Sequence, residues 1–457
     1  MEAWLSMETD LKKIKDIKSN VKQSKGYKRL SMLFDNAIFN ELDPLVKSED
    51  TYSEVISGFG YVNSCPVYAF SQNIDANGSP VSKAQISKIL KVYKMAEKMG
   101  IPVVGFYDSI GAKLKEGNEM LSLYGELLQV SNNISGVVPQ ISVILGKCFG
   151  TSSMIAAASD ILIMTEKSQF GIDVSGENSS AEFIKKSGIS HITTQNEEEA
   201  IVKTKNIIAM LPSNNLETSP DFESIVEPSN IQLKTELDVV KIFDADSFIE
   251  LQDGFGQAFK IGLTRLDGKT VGAIISNSDF NDGIIDADSC TKSARLVRFC
   301  DAFSIPLLTF INSKGFSSLK EASKLSSSYS EATTAKITVI VGEVYGPLYV
   351  SIAGKGANAD IILSWPESVV SMLSPETEVA IMCQESLKGS KNPIKDREEL
   401  VAEYKNTKVS AIKAANEGFI DEIIEPNDTR EKLISYLDML SSKRVSTLPK
   451  KHSNIQI

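Results

Sequence analysis

Short apolar runs bounded by glycine or proline recur along the chain, separated by longer stretches in which apolar positions return every three or four residues. Residues 103–107 (VVGFY), 142–145 (SVIL), 307–311 (LLTFI) and 338–341 (TVIV) have the length and apolar character of strands buried on both faces. Residues 82–99 and 291–303 carry the helical period, and each stretch stops just before an Ile-Pro pair. Alternating strands and helices predict βαβ units, largely parallel sheets and an α/β fold. Residues 211–240 hold three prolines and little periodicity, so they are expected to join two domains, 1–230 and 231–457. Residues 396–443 read as helical.

The pattern occurs twice. FDNAIFNEL (34–42) returns as FDADSFIEL (243–251), and IPVVGFYDSIGA (101–112) as IPLLTFINSKGF (305–316). ISVILGKCFG (141–150) returns as ITVIVGEVYG (337–346), and SDILI (159–163) as ADIIL (359–363). Similar strand chemistry could produce one such match, but not four in the same order at an offset of about 200 residues. A period this long marks a duplicated domain rather than a solenoid.

Composition narrows the class. The 457 residues suffice for two or three domains, and 42% hydrophobic with 23% charged residues is globular rather than disordered. A net charge of -11 argues against a protein that chiefly grips nucleic-acid phosphates, yet leaves room for a small anion at a local site. No apolar run reaches membrane-spanning length and residues 1–18 lack the apolar centre of a signal peptide, so a cytoplasmic protein is expected. Five widely spaced cysteines without a CxxC pair fit neither a zinc ribbon nor a disulfide framework.

Side-chain chemistry finds little support. His191 and His452 are the only histidines, and neither HExxH, GxSxG nor a phosphate-binding GxxxxGK[ST] occurs. The two halves instead share glycine punctuation. Strand 142–145 leads to Gly146, then Gly150-Thr151-Ser152-Ser153 and a helix-like 154–158; strand 338–341 leads to Gly342, then Gly346-Pro347 and 348–353. Gly111 and Gly315 close the neighbouring strand of each half. A glycine turn opening a helix leaves backbone N–H groups and the positive dipole end pointing forward. Two such strand ends can form an oxyanion hole, although spacing alone is equally met by ordinary tight turns.

DSIGAKLKEG (108–117), SGVVPQISVILGKCFG (135–150), KSARLVRFCDAFSIPLLTF (292–310), KITVIVGEVYG (336–346), ADIILSWP (359–366), GFIDEIIEPNDTR (418–430) and KKHSNI (450–455) resemble the carboxyltransferase subunits of biotin-dependent acyl-CoA carboxylases and decarboxylases. The likeness covers the chain from about Lys28 onward. It implies two tandem crotonase-like domains related by duplication, and carboxyl transfer between carboxybiotin and an acyl-CoA. It also implies enolates held by backbone amides: Gly150 and Thr151 for the acyl thioester, with Gly111, Ala112 and Lys113 beside them. For biotin it implies Gly346 and Leu348, with Gly315 and Phe316 nearby. Without a biotinyl AMKM motif, biotin is expected on a separate carrier protein, with a biotin carboxylase or membrane decarboxylase subunits as further partners and no metal in this chain. A homo-oligomer, at least a dimer and up to a hexamer, is implied, cytoplasmic or peripheral to a membrane complex.

The chain departs from the family where relatives carry Gly-Gly-Ala: it has Gly346-Pro347-Leu348, and proline has no N–H to offer. Val350 replaces a common acidic residue, a change that bears on acyl preference. Thr151 replaces a glycine, Lys113 an arginine, and the usual Gly-Pro loop is missing from 170–180. These differences keep open a non-catalytic acyl-CoA-binding partner subunit, and a crotonase-type hydratase or hydrolase for which Asp160 would be the nearest acid.

Overall fold

A computed structural model describes residues 2–48, 51–52, 54–75, 80–173, 178–225, 233–388, 390 and 392–454. The chain divides into two compact units, Met1–Ser219 and Pro220–Ile457. The first contains strands β1 (Phe39–Glu41), β2 (Val55–Val62), β3 (Cys65–Gln72), β4 (Val103–Tyr107), β5 (Gln140–Ile144), β6 (Lys147–Phe149), β7 (Ile161–Thr165), β8 (Gln169–Gly171) and β9 (Ile192–Thr194). The second contains β10 (Ile249–Leu251), β11 (Phe259–Leu266), β12 (Lys269–Ser276), β13 (Ile284–Ile285), β14 (Leu307–Ser313), β15 (Gly315–Phe316), β16 (Lys336–Tyr345), β17 (Ile361–Ser364), β18 (Val369–Ser371) and β19 (Glu422–Ile423).

The main sheets run β1-β2-β3-β4-β5-β7-β9 and β10-β11-β12-β14-β16-β17-β19. In both, the first three strands are antiparallel and the remaining pairs parallel. The expectation of largely parallel sheets thus holds for one side of each sheet, while the antiparallel hairpins were not foreseen. Beyond the main sheet, β6 pairs β8 and, in the second unit, the far end of the ten-residue β16 pairs β18, both in parallel.

The repeated sequence blocks have physical counterparts. In the F-D-x-x-x-F block, the Asp35 carboxylate accepts the Asn63 and Ser64 N–H groups (both 3.0 Å), closing the β2–β3 turn. Asp244 likewise accepts those of Asp267 (3.1 Å) and Gly268 (2.7 Å) at the β11–β12 turn. All four turn residues have positive φ, the conformation that a two-residue hairpin of this kind needs. In the S/A-D-I block, Asp160 accepts the Gln140 N–H and Asp360 the Lys336 N–H, both at 2.8 Å. Each aspartate therefore locks the entry of one parallel strand to the next.

Helix 82–99 is found as Lys83–Met99, with Ser82 accepting the Gln85 N–H and Gly100 (φ 63) ending it. Helix 291–303 is longer, Ala287–Ala302, because Asp286 caps it by accepting the Ser289 N–H. The expected helical tail is Pro393–Thr407, Ala411–Asn416 and Thr429–Leu440, interrupted by β19. Part of the linker expected at 211–240, residues 226–232, lies outside the described residues. All five cysteines are free thiols. His191 is structural: its Nδ1 accepts the Leu162 N–H (3.0 Å) and its own N–H donates to Leu162 O (2.8 Å).

Each unit also buries one lysine at the sixth position of its long helix. Lys88 Nζ donates to Val55 O (2.8 Å) and Lys292 Nζ to Phe255 O (2.7 Å). Burial pushes the Lys292 ammonium down to about 8, only partly opposed by Glu250 and Asp286. Its folded value lies below the unfolded one, so the unfolded chain binds more protons between pH 8 and 10.5. The cost of burying the charge accordingly fades as pH rises through that window. In denaturant melts at pH 7.5 and 9.5, the stability of the wild type relative to Lys292→Met is expected to shift in favour of the wild type, by up to about 1.4 kcal/mol per pH unit.

Candidate active site

In the first unit, β4 and β5 are neighbours, and the chain leaves both through glycine turns. The Ser109 N–H donates to Lys147 O (2.7 Å), stitching the segment after β4 to the turn after β5. Residues 111–113 pair with Val81: the Val81 N–H donates to Gly111 O (2.7 Å) and the Lys113 N–H to Val81 O (2.9 Å). This edge uses the Gly111 carbonyl and the Lys113 N–H and leaves the Ala112 N–H facing away, without an acceptor among the described residues.

The helix Thr151–Ala157 starts at Gly150, whose backbone (φ 66, ψ -139) suits glycine. Gly150's own N–H is shared by the carbonyls of Gly171 (3.2 Å) and Ile172 (3.1 Å). Gly150 therefore shapes the turn while its amide is occupied. The amides without an acceptor among the described residues are those of Thr151 and Ser152. Ser152 Oγ lies 3.1 Å from the Tyr124 hydroxyl, and Ser153 Oγ donates to Gly150 O (2.7 Å), bracing the helix start from the side. Burial raises Tyr124 to about 12, so the phenol stays protonated at neutral pH.

Lys113 faces inward. Its Nζ bonds Ser48 Oγ (3.1 Å) and has the Glu54 and Glu116 carboxylates at 3.9 and 4.0 Å, with 12% of the side chain exposed. It anchors the loop rather than reaching out as a free cation.

The second unit repeats this plan. The Lys314 N–H donates to Gly283 O and the Ser317 N–H to Ile285 O (both 2.9 Å), so the Phe316 amide, like that of Ala112, faces away from its paired strand. Strand Gly315–Phe316 packs against the turn Gly346–Leu348, so these expected residues come together. Gly346 has φ 33, and a Cβ there would run into Met372 O. Pro347 occupies the position equivalent to Thr151 at the helix start. Leu348, next after Pro347, carries an amide without an acceptor among the described residues, while its side chain is buried.

The chain continues as a π-helix, Tyr349–Ala353, a local form often found at functional sites. Tyr349 holds it by donating to Phe419 O (2.6 Å). Beside the first turn, Leu114, Met154 and Ile172 are exposed, and beside the second, Leu319, Val350 and Met372. Large exposed apolar side chains at corresponding positions suit an apolar ligand or a covering protein surface.

Two such units, each with a glycine-opened turn at the ends of its parallel strands, make a duplicated crotonase-like enzyme fold. The carboxyl transferase domain family matches residues 26–455, and the chain belongs to that family. It is 33% identical to the methylmalonyl-CoA decarboxylase subunit alpha of Propionigenium modestum, over 94% of this chain and 92% of that one. It is also 33% identical to the propionyl-CoA carboxylase carboxyltransferase subunit of Haloferax mediterranei, over 88% and 86% respectively. A transcarboxylase 12S crystal structure, described as a hexamer with methylmalonyl-coenzyme A and methylmalonic acid bound, superposes with a TM-score of 0.89. That pair is 27% identical, covering 99% of this chain and 98% of the other. The recognition from sequence motifs, the duplicated fold and the enzyme class are borne out.

Proposed function

We propose that this chain moves a carboxyl group between biotin on a separate carrier protein and an acyl-CoA, using backbone amides as its principal catalytic groups. The observation that carries this reading is the pair of glycine-opened turns with forward-facing amides, in a chain that belongs throughout to the carboxyl transferase family. In the first unit the Thr151 and Ala112 amides polarise the thioester oxygen and stabilise the enolate that develops on it. Gly150 sets the turn and Lys113 anchors the adjoining loop.

Biotin, when bound, supplies the carboxyl group and a ureido nitrogen able to take the acyl α-proton. The second turn fits a ring with one carbonyl-type oxygen, because the Leu348 and Phe316 amides remain available while Pro347 withholds one donor. Exposed Val350 stands two residues beyond Leu348, where relatives often carry an acid, and is the residue expected to bear on acyl preference. Val350→Asp is expected to lower kcat/KM for methylmalonyl-CoA relative to malonyl-CoA by about fourfold, the worth of one buried CH2. A competition assay measures it.

The exposed apolar side chains beside the two turns support a homo-oligomer in which a second copy covers them. Among the described residues no helix is long and apolar enough to cross a membrane.

The purified protein is expected to decarboxylate malonyl-CoA, methylmalonyl-CoA or glutaconyl-CoA when free biotin is added. Pro347 favours a second reading, a non-catalytic partner subunit that binds acyl-CoA. Binding of the CoA esters without turnover of any of them would select that reading.

A further inference from the structure

One device holds the paired strand ends in both units, as an acid in the first and an amide in the second. Asp108 stands three residues before Gly111, and its carboxylate packs so closely on Gly146 that a Cβ there would overlap Oδ1. Asn312 stands three residues before Gly315, and its amide oxygen excludes a Cβ from Gly342 in the same way. Gly146 and Gly342 each lie four residues before the glycine of the helix turn. Either side chain therefore touches both strand ends of its own unit.

The groups behind them differ. Arg29 Nη2 donates to Asp108 Oδ2 (2.8 Å), and Arg29 grips both Glu197 oxygens (2.9 and 2.7 Å) and Gln72 O (3.2 Å). The Gln72 side chain in turn accepts the Asp108 N–H (3.0 Å). Behind Asn312 the buried partner is an acid. Asn312 Nδ2 donates to Glu236 Oε2 (3.2 Å), and Glu236 Oε1 accepts the Ser278 N–H (2.7 Å). Asn312 Oδ1 accepts the Glu343 N–H (2.9 Å), three residues before Gly346, and the Asn312 N–H donates to Ser276 Oγ (2.7 Å). The first unit matches a carboxylate to a cation; the second matches an amide to a carboxylate.

We propose that Asp108 and Asn312 are positioning residues that set the gap between the two amide donors of their units, and that the charged partner behind each dictates acid or amide. The inference rests on the carboxyl-transfer reading for its kinetic consequence. Its geometric consequence is independent of that reading.

Asn312→Asp sets a second carboxylate against Glu236, whose oxygens accept from Ser278 and Asn312, and the repulsion should displace the segment leading to Gly346. In the full-length variant kcat for biotin-dependent decarboxylation is expected to fall tenfold or more, with KM for the acyl-CoA changed less than threefold. Asn312→Asp combined with Glu236→Gln restores a donor opposite the new acid and should return kcat to within about threefold of wild type. Hydrogen–deuterium exchange of residues 343–348 reads the same device without catalysis: faster in the single variant, restored in the double. Wild-type exchange and kcat in Asn312→Asp, or a double variant no better than the single, would overturn the proposal. A wild type without biotin-dependent turnover would instead defeat the functional reading and leave the exchange result to decide this one.

Discussion

Thr151→Pro is expected to lower kcat for biotin-dependent turnover by about 10²–10³-fold, the usual consequence of deleting one oxyanion donor. The substitution removes one N–H and little else. Thr151 is the first residue of the helix Thr151–Ala157, a position where proline is well tolerated because no intrahelical bond is lost. The second unit already places Pro347 at the equivalent position after Gly346, so the backbone form is compatible with the fold. Thr151→Gly keeps the amide and should retain most of the activity. Stopped-flow or coupled CO2 release measures both, with circular dichroism to verify that the variants fold. If Thr151→Pro turned over at the wild-type rate, the first turn would not be the thioester site.

Pro347→Gly is the complementary change and should raise kcat about tenfold or more, because it adds an amide beside that of Leu348. The gain is expected to be smaller than the Thr151→Pro loss, since glycine also makes the turn more flexible and lowers the share of chains with the donors aligned. Saturation kinetics in free biotin separate the effects: a new donor acting on the transition state raises kcat, whereas improved ground-state binding lowers only KM. Unchanged activity would mean that the turn manages without an amide at position 347.

The duplication was legible because its repeated letters do mechanical work at the same place twice. Asp35 and Asp244 close hairpin turns, and Asp160 and Asp360 lock strand entries. The hairpin strands themselves were harder to read. Gly58 lies in β2 where a Cβ would come within 2.7 Å of Asn40 O and the Phe39 ring, so close packing there replaces an apolar side chain with glycine and blurs the strand pattern. Gly150 and Thr151 could be found from the glycine turn, but not the sharing of the Gly150 amide by carbonyls some twenty residues downstream. The inward turn of Lys113 was equally hidden, because its partners Ser48 and Glu54 come from a distant segment. Asp108 and Asn312 stand at aligned positions of DSIGA and NSKGF, but as different letters they were not part of the match. Their opposite partners, Arg29 and Glu236, lie outside every repeated block.

The central claim is that backbone amides at Thr151 and Leu348 drive a biotin-dependent transfer. The most direct test is the initial rate of CO2 release from methylmalonyl-CoA as free biotin is titrated, in wild type and Thr151→Pro side by side. A saturable dependence on biotin is expected in the wild type, and a drop of about 10²–10³-fold in the variant. Release independent of biotin, or equal rates in the two proteins, would contradict it.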